Sequence, residues 1–263
     1  MENEAQTKRG ASESRREFRG RLVGIKPPWP VAVLLAVVAG VVDSTTFMAL
    51  FGLFVAQVTG SFVTLGVHIV TLDKTSLVSL VAIPFFFIGG VVVAMVAAAQ
   101  ASAARGFATA LAIEATVLCA FAAVGLTTAP PVSPNAPPAG LMGILGLAAM
   151  GMQSATARLM FDGVASTNVM TTNTTQLAID VTQWLIASWR AARFPHETTA
   201  PAMRASARAR IARLAPIMAG FFAGTLVGAV GFVHLGFWFL PAPIAALIGL
   251  IGWALLAAGD RAQ

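Results

Sequence analysis

The chain has 263 residues, of which 57% are hydrophobic and 11% are charged. A soluble domain needs many more polar residues to cover its surface, so this composition excludes a soluble protein and indicates an integral membrane protein. The formal net charge of +6 comes from basic residues clustered in two stretches, and this clustering argues against a nucleic-acid partner.

The two basic stretches border apolar parts of the chain. Seven Lys and Arg residues precede Pro27, and six lie between Trp189 and Leu214. Basic residues beside membrane spans mark the cytoplasmic side and attract anionic lipid, so we expect both stretches in the cytoplasm, in contact with anionic lipid. Residues 1–28 also contain four Glu and few large apolar residues, which predicts a disordered basic tail.

Apolar runs of about twenty residues follow the tail, without the alternation of a barrel strand, which predicts an all-α polytopic protein in the lipid bilayer. The six full spans are predicted at about residues 31–51, 77–99, 107–126, 141–161, 214–235 and 237–258. Residues 127–139 contain five prolines and no charge, which predicts an extracytoplasmic loop. This loop separates a first membrane repeat, 29–126, from a second, 140–259, which includes a basic cytoplasmic loop at 190–213.

The same pattern occurs in both halves, where an apolar run passes into a segment rich in Thr, Gly and Asn. In the first half, residues 43–46 (DSTT) are followed by a polar segment at 58–65. In the second half, residues 153–156 (QSAT) are followed by a polar segment at 170–177. The two copies superpose at a period of about 110 residues, which indicates an internal repeat.

The polarity of the second copy limits how it can enter the membrane. Residues 168–180 are too polar to cross lipid as an exposed helix, because Asn, Gln and Asp at the bilayer centre each cost about 2 to 3 kcal/mol. If both polar segments are broken or re-entrant, three spans remain per half, and the second half enters the membrane inverted. This 3+3 arrangement places Arg105 and both termini in the cytoplasm. The alternative is eight spans in parallel 4+4 halves, with Arg105 outside.

The polar segments and their neighbours are the candidate substrate or ion pathway. Breaks in a helix expose N–H and C=O groups that bind ions or solutes near the bilayer midplane. The alternative is that Thr and Ser bond back to the helix and act only in packing. The candidate residues are Asp43, Thr59, Gly60, Ser61, Gln153, Arg158, Thr171, Thr172 and Asn173.

Ionisable residues within the predicted spans are expected to pair, to line water or to take part in transport. Asp43 and Arg158 lie on the corresponding first helices of the two halves, so an ion pair between them is predicted, with a purely structural role as the alternative. Glu114 and Asp180 are candidate coupling acids. Glu114 is equally well interpreted as a neutral buried acid bonded to another helix.

Enzyme and metal motifs are not found. The chain has no His-Glu-x-x-His, Gly-x-Ser-x-Gly or Walker motif. His68 and His234 lack the spacing of a metal site, and Cys119 is the only cysteine. We therefore expect no enzyme activity, no cofactor and no metal.

Several short motifs point to a known family. Residues 40–43 read Gly-x-x-Asp, and residues 54–61 resemble a Phe-Val-x-x-x-Thr-Gly-Asn element with Ser61 in the last position. Residues 151–154 resemble a Gly-x-Gln-Asn run that precedes an Arg, here Arg158. Thr171 and Thr172 stand where a second Thr-Gly element is expected. Over roughly residues 29–258 the chain thus resembles the YoaK family of bacterial inner-membrane proteins, a domain of unknown function.

The departures are Ser61 and Ser154 in place of Asn and Thr172 in place of Gly. Ser61 and Ser154 lack the side-chain amide of Asn, which weakens the idea that an amide at these positions coordinates a ligand. Thr172 predicts a less flexible second break than Gly would give. The resemblance implies about six membrane helices in the bacterial inner membrane and no established substrate.

The leading hypothesis is a small transporter or channel with a solute or ion site between two repeats near the midplane. The rival hypothesis is a non-transporting membrane scaffold or regulator that uses its basic cytoplasmic segments. The solute, the driving ion and the oligomeric state are left open, and glycine-faced helices are compatible with oligomers.

Overall fold

The computed structural model describes residues 29–71, 77–100, 102–128, 131, 133–160, 170–194 and 196–259. All regular structure in these ranges is helical, which confirms the predicted all-α fold. The helices are α1 Trp29–Ala49, α2 Val58–Thr71, α3 Leu77–Ala99, α4 Ala103–Thr127, α5 Pro137–Met160, α6 Met170–Arg193, α7 Thr199–Leu235 and α8 Pro241–Gly259, with a 3₁₀ turn at Gly236–Phe239. The predicted N-terminal tail lies outside the described residues.

The helices have the length and apolar composition of a membrane protein. Among the described residues, five helices are long and apolar enough to cross a bilayer: α1, α3, α4, α5 and α7. Two shorter helices, α2 and α8, are also apolar. The chain is therefore a polytopic helical membrane protein, as its composition indicates.

The prediction of a basic loop at 190–213 is wrong in its local structure. Helix α6 continues to Arg193, and α7 begins at Thr199 rather than near Leu214. The stretch between residues 199 and 213 consists mainly of Ala and Arg, which are among the strongest helix formers. As a result, α7 has 37 residues and Pro216 lies inside it.

Helices of the two halves pack closely against each other through glycines. In α1 and α7, a Cβ atom at Gly40 would overlap with the main-chain O of Phe221, and one at Gly224 would overlap with the main-chain O of Val37. This close approach lets main-chain atoms of two helices make van der Waals contact, the main source of helix association in lipid. The α1–α7 crossing therefore requires small residues.

The contacts along each crossing give the relative directions of the helices. Gly220 of α7 lies beside Val33, and Gly228 lies beside Val41, so α1 and α7 run parallel. In the α3–α5 pair, Gly151 of α5 approaches Phe86 of α3, and Ala155, one turn later in α5, approaches Gly90, one turn later in α3. Helices α3 and α5 therefore also run parallel.

Helices α1 and α5 begin the two halves and run antiparallel. Gln153 of α5 donates a hydrogen bond to Leu35, near the start of α1. Gly146, earlier in α5, faces Thr46 near the end of α1. Because α3 is parallel to α5 and α7 is parallel to α1, α3 runs opposite to α1 and α7 runs opposite to α5.

Helices α4 and α8 complete the centre of the bundle. The rings of Phe107 and Trp253 meet at one end of this pair, and those of Phe121 and Phe237 meet at the other, so α4 and α8 are antiparallel. The fully buried side chains of the core include Leu35, Leu111, Phe121, Leu147 and Leu247. These side chains come from both halves, so the two halves share one core.

Candidate functional site

The chain reverses direction immediately after α1. Phe51 and Gly52 have φ values of +56° and +84°, in the left-handed region. The N–H of Gly52 donates to the carbonyl of Phe47 at 2.9 Å. Such a pair ends a helix and sends the chain back along it, and the positive φ at Phe51 costs roughly 1 kcal/mol or more.

The returning chain is held by Asp43, in the middle of the bundle. The N–H groups of Val55 and Ala56 both donate to Asp43 Oδ1, at 2.8 Å each. Asp43 is 3% exposed, so its carboxylate is removed from water and is stabilised by these two charge-assisted bonds. The bonds also satisfy two main-chain donors just before the start of α2.

This contact fixes the depth at which α2 begins. Ala49 lies six residues beyond Asp43, so α1 continues for about 9 Å past the carboxylate. Residues 50–56 must return over that distance to reach Asp43, and α2 starts two residues after Ala56. The polar start of α2 therefore lies at the depth of the second half of α1, with Thr59 and Gly60 at the surface of the bundle.

The first polar segment is placed differently from the prediction of a break within it. Residues 59–61 form the first turn of a continuous helix, and the irregular backbone precedes them. Ser61 is buried, whereas Thr59 and Gly60 are exposed on the protein surface. Thr64 bonds back to the carbonyl of Gly60. The Thr64 hydroxyl thus bonds back to its own helix, which is the alternative use of these hydroxyls.

The second polar segment is also helical. Residues 171–173 lie in the first turn of α6, and Asn173 alone of these three is buried. Asn173, Asp180 and Ala187 are spaced by seven residues and are the buried residues of α6, which packs on α7. The segment that joins α5 to α6, residues 161–169, lies outside the described residues.

The predicted ion pair between Asp43 and Arg158 is wrong. Arg158 is exposed near the end of α5, whereas Asp43 is buried and bonded to the main chain. In the antiparallel α1–α5 pair, Gln153 lies level with Leu35, so Arg158 lies beyond the level of Leu35, away from Asp43. The two residues are separated by at least about 12 Å along the bundle. Sequence shows which residues are charged but does not show their depth.

Gln153 joins the first helices of the two halves. Its Nε2 donates to the carbonyl of Leu35 at 2.6 Å, and its side chain is fully buried. Its Oε1 has no hydrogen-bond partner within the described protein. A buried amide oxygen without a partner costs about 1 to 3 kcal/mol, so this atom retains unused hydrogen-bonding capacity.

Two buried threonines belong with this set and were missed in the sequence. The Oγ1 atoms of Thr45 in α1 and Thr156 in α5 have no partner among the described residues. Thr45 follows Gly40 by five residues, and Thr156 follows Gly151 by five residues. The recurrence of Gly-x-x-x-x-Thr in both halves is the signal that could have identified them.

The two candidate coupling acids differ in their surroundings. Glu114 of α4 is fully buried, and neither carboxyl oxygen has a partner in the described part of the chain. Asp180 Oδ1 pairs with Arg210 of α7 at 2.6 Å, while Asp180 Oδ2 has no described partner. Asp180 therefore joins α6 to α7, and Glu114 is the acid that the protein interior leaves unpaired.

The arrangement combines buried polar atoms at membrane depth with unused hydrogen-bonding capacity. Gln153 Oε1, Thr45 Oγ1, Thr156 Oγ1 and the Glu114 carboxyl can accept or donate bonds to water or a small polar solute. Among the described residues, no three His, Cys, Asp or Glu side chains are grouped as they would be around a metal ion.

Comparisons with known proteins agree with the motif resemblance. The model of the family described as "Protein of unknown function (DUF1275)" matches residues 31–253, which include every described helix in whole or part. Searches of curated proteins and of solved structures found no match. The matched region covers most of the chain, and the YoaK-like proteins are this family. The chain therefore belongs to the DUF1275 family.

Proposed function

We propose that the protein is a transporter or channel for a small polar solute or ion, built from two inverted repeats of three spans each. The pathway runs between the halves, near the middle of the bilayer. The unpartnered polar atoms of Thr45, Gln153 and Thr156 lie along the pathway at different depths, since Thr45 is about 15 Å along α1 from the level of Gln153. Glu114 is the coupling acid of the pathway.

The helix directions support six spans rather than eight. Helix α3 runs opposite to α1, so α1 ends and α3 begins on the same side of the membrane. This arrangement favours an α2 that does not cross the membrane, and the return of residues 50–56 to Asp43 supports a re-entrant segment. The same reasoning applies to α6, because α7 runs opposite to α5.

The glycine crossings support the inverted repeat. Gly40 and Gly151 each approach the main-chain O of a phenylalanine, Phe221 and Phe86 respectively. Gly40 and Gly151 are 111 residues apart, and so are the buried Thr45 and Thr156. A spacing of 111 residues aligns Asp43 with Ser154. The DSTT and QSAT patterns of the sequence align Asp43 with Gln153 instead, so the two alignments differ by one residue.

The single observation that carries the proposal is the set of buried, unpartnered polar atoms at membrane depth. In lipid no water is available to compensate such groups, and leaving them unpaired in several helices would lower stability without benefit. A polar occupant that enters from water gives these atoms their partners. A packing role alone leaves them unexplained.

The charge distribution supports a cytoplasmic location for both termini in a bacterial inner membrane. The arginine-rich start of α7, the start of α1 and the end of α8 lie at the same end of the bundle, given the helix directions. Arg105, exposed at the start of α4, also lies at this end. Basic residues concentrate on the cytoplasmic side of inner-membrane proteins.

The proposal is tested by solute flux in proteoliposomes. Stopped-flow light scattering would follow volume changes after exposure to urea, glycerol, glycine, sodium chloride or potassium nitrate. We expect at least one probe to cross faster than in protein-free vesicles. The double variant Thr45→Val with Thr156→Val should abolish that flux, because it removes both hydroxyls at nearly constant volume.

Thr116→Val is the matched control. Thr116 is an exposed threonine of α4 whose hydroxyl bonds back to the carbonyl of Ala112. Its removal should leave the flux unchanged. Flux that persists in a folded Thr45/Thr156 double variant, or the absence of flux for every probe, would contradict the proposed pathway.

A further inference from the structure

Helix α7 is much longer than a membrane span, and its excess length lies at the arginine-rich end. Gly224, at the crossing with α1, lies near the middle of the bundle. Thr199, the first residue of α7, is 25 positions earlier, which corresponds to about 37 Å of helix. Half of a bilayer's hydrocarbon core is only about 15 Å thick, so the start of α7 extends well beyond it.

This extension is a folded helical hairpin, which we name the basic arm. It comprises residues 180–193 of α6, the described residues 194 and 196–198, and residues 199–213 of α7. Ala187, Ala200 and Ala207 are fully buried and allow the two helices to pack closely. At one end of the arm Arg210 bonds to Asp180 and Gln183 at 2.6 Å each.

Most arginines of the arm are not used in this packing. Arg210 pairs with Asp180, and Arg190 pairs with Glu197 at 2.6 Å. Arg204 and Arg208 are exposed, and no described acidic side chain forms an ion pair with either. They are one helical turn apart on α7, so their guanidinium groups extend from the same face.

Arg204 and Arg208 line a groove beside the hairpin. The groove has a volume of about 500 Å³, and its other walls are alanines and one proline: Ala191 of α6 and Pro201, Ala205, Ala209 and Ala212 of α7. The small side chains leave room for a group larger than a single ion. Two unpaired guanidinium groups select an occupant that carries negative charge, and their planar forks match phosphate oxygens.

The position of the groove favours a lipid as the source of that charge. Arg208 and Arg204 precede Gly224 by 16 and 20 residues, about 24 and 30 Å along the helix. Both lie just outside the headgroup layer, which ends about 20 to 22 Å from the midplane, and their long side chains can reach back to it. On the outer side of the same arm, Leu185, Ile186 and Trp189 are 54%, 49% and 62% exposed. Apolar and Trp side chains beside arginines are typical of segments that contact a membrane surface.

We propose that the groove between Arg204 and Arg208 binds the phosphate headgroup of an anionic phospholipid. The guanidinium groups hold the phosphate, and the arm rests against the leaflet that supplies it. A zwitterionic lipid is disfavoured because its own ammonium group offsets the phosphate charge. The proposal does not depend on transport, since it concerns a surface remote from the buried polar atoms.

Native mass spectrometry of the full-length protein in detergent tests this proposal. The protein would be titrated with phosphatidylglycerol and, separately, with phosphatidylcholine. We expect the wild type to retain phosphatidylglycerol preferentially. The variant Arg204→Gln with Arg208→Gln should bind phosphatidylglycerol at least about tenfold more weakly, because it loses two charge-assisted contacts to phosphate. Both residues are exposed, so the variant should remain folded.

The charge-matched control is Arg193→Gln with Arg213→Gln, which removes the same charge from exposed positions on the arm. This control should keep most of the affinity for phosphatidylglycerol. Equal loss in both double variants, or equal retention of the two lipids by the wild type, would overturn the proposal. A second measurement uses inorganic phosphate in place of lipid. Phosphate and phosphatidylglycerol would each be added to lipid-free protein, and the melting temperature would be compared. If phosphate raises the melting temperature as much as phosphatidylglycerol does, and only when Arg204 and Arg208 are present, the lipid assignment is wrong.

Discussion

Gly40 and Gly151 occupy corresponding points of two helix crossings, and each faces the main-chain carbonyl of a phenylalanine with no room for a Cβ atom. Each crossing contains a second glycine three residues after that phenylalanine: Gly224 after Phe221 and Gly89 after Phe86. One half of the chain thus supplies the first helix of each crossing and the other half supplies its partner. This exchange joins the two halves into one body.

Replacing Gly40 or Gly151 by Ala should destabilise the protein by about 2 kcal/mol each. The new methyl group would overlap with main-chain atoms, which cannot rotate away, so the helices must separate. Unfolding in mixed micelles with increasing dodecyl sulfate would measure the change. Because the two crossings have the same geometry, the two variants should lose similar amounts.

Gly249→Ala is the control for these two variants. A Cβ atom at Gly249 in α8 would meet nothing within 4 Å. The substitution should leave the unfolding midpoint unchanged or raise it slightly. A loss at Gly249 equal to that at Gly40 would show that the crossings are not the cause.

Asp43→Leu should destabilise the protein by about 3 kcal/mol. Leu has a similar size but cannot accept the hydrogen bonds from Val55 and Ala56, so two buried N–H groups lose their partner. Asp43→Asn keeps an acceptor oxygen and should cost only about 1 kcal/mol. The same unfolding assay applies, with Ser44→Ala as the control, since the Ser44 hydroxyl bonds only within its own helix. Equal stability of the Leu and Asn variants would contradict the role of Asp43 in holding the return to α2.

Glu114→Leu should stabilise the protein by about 1 kcal/mol while abolishing solute flux. The Glu114 carboxyl is fully buried without a described partner, so an apolar side chain of similar volume suits the site better. A buried Glu114 carboxyl that lowers stability is expected to serve the function of the protein, here solute flux. The variant requires both thermal unfolding and flux measurements. A marked loss of stability would instead indicate that Glu114 has a structural partner.

Sequence reasoning reached the all-α fold and the long apolar helices, because long apolar runs are local features. It failed at Asp43, whose partners are the main-chain N–H groups of Val55 and Ala56. Main-chain donors are present at almost every residue, so their use leaves no pattern in the sequence. Charge alone therefore favours Arg158 as the partner of Asp43, although the two residues lie far apart.

The basic stretch shows a second limit of the sequence. A cluster of arginines reads as a loop when only hydropathy is considered, because the apolar run begins near Leu214. Helix propensity was the better guide there, since Ala and Arg alternate closely between residues 199 and 213 and both favour helix. The pairing of Asp180 with Arg210 could not be predicted without the antiparallel register of α6 and α7.

The central claim is that α2 and α6 turn back within the membrane, so that six spans form two inverted halves. Side-specific cysteine labelling tests it most directly, in a Cys119→Ala background because Cys119 is exposed. Single cysteines would replace Ser102 before α4, Asn135 before α5 and Ala202 in the basic arm. We predict that an impermeant maleimide reaches Ser102→Cys and Ala202→Cys from the same side and Asn135→Cys from the other. Labelling of Ala202→Cys together with Asn135→Cys, and opposite to Ser102→Cys, would mean eight spans in parallel halves and would contradict the inverted 3+3 arrangement.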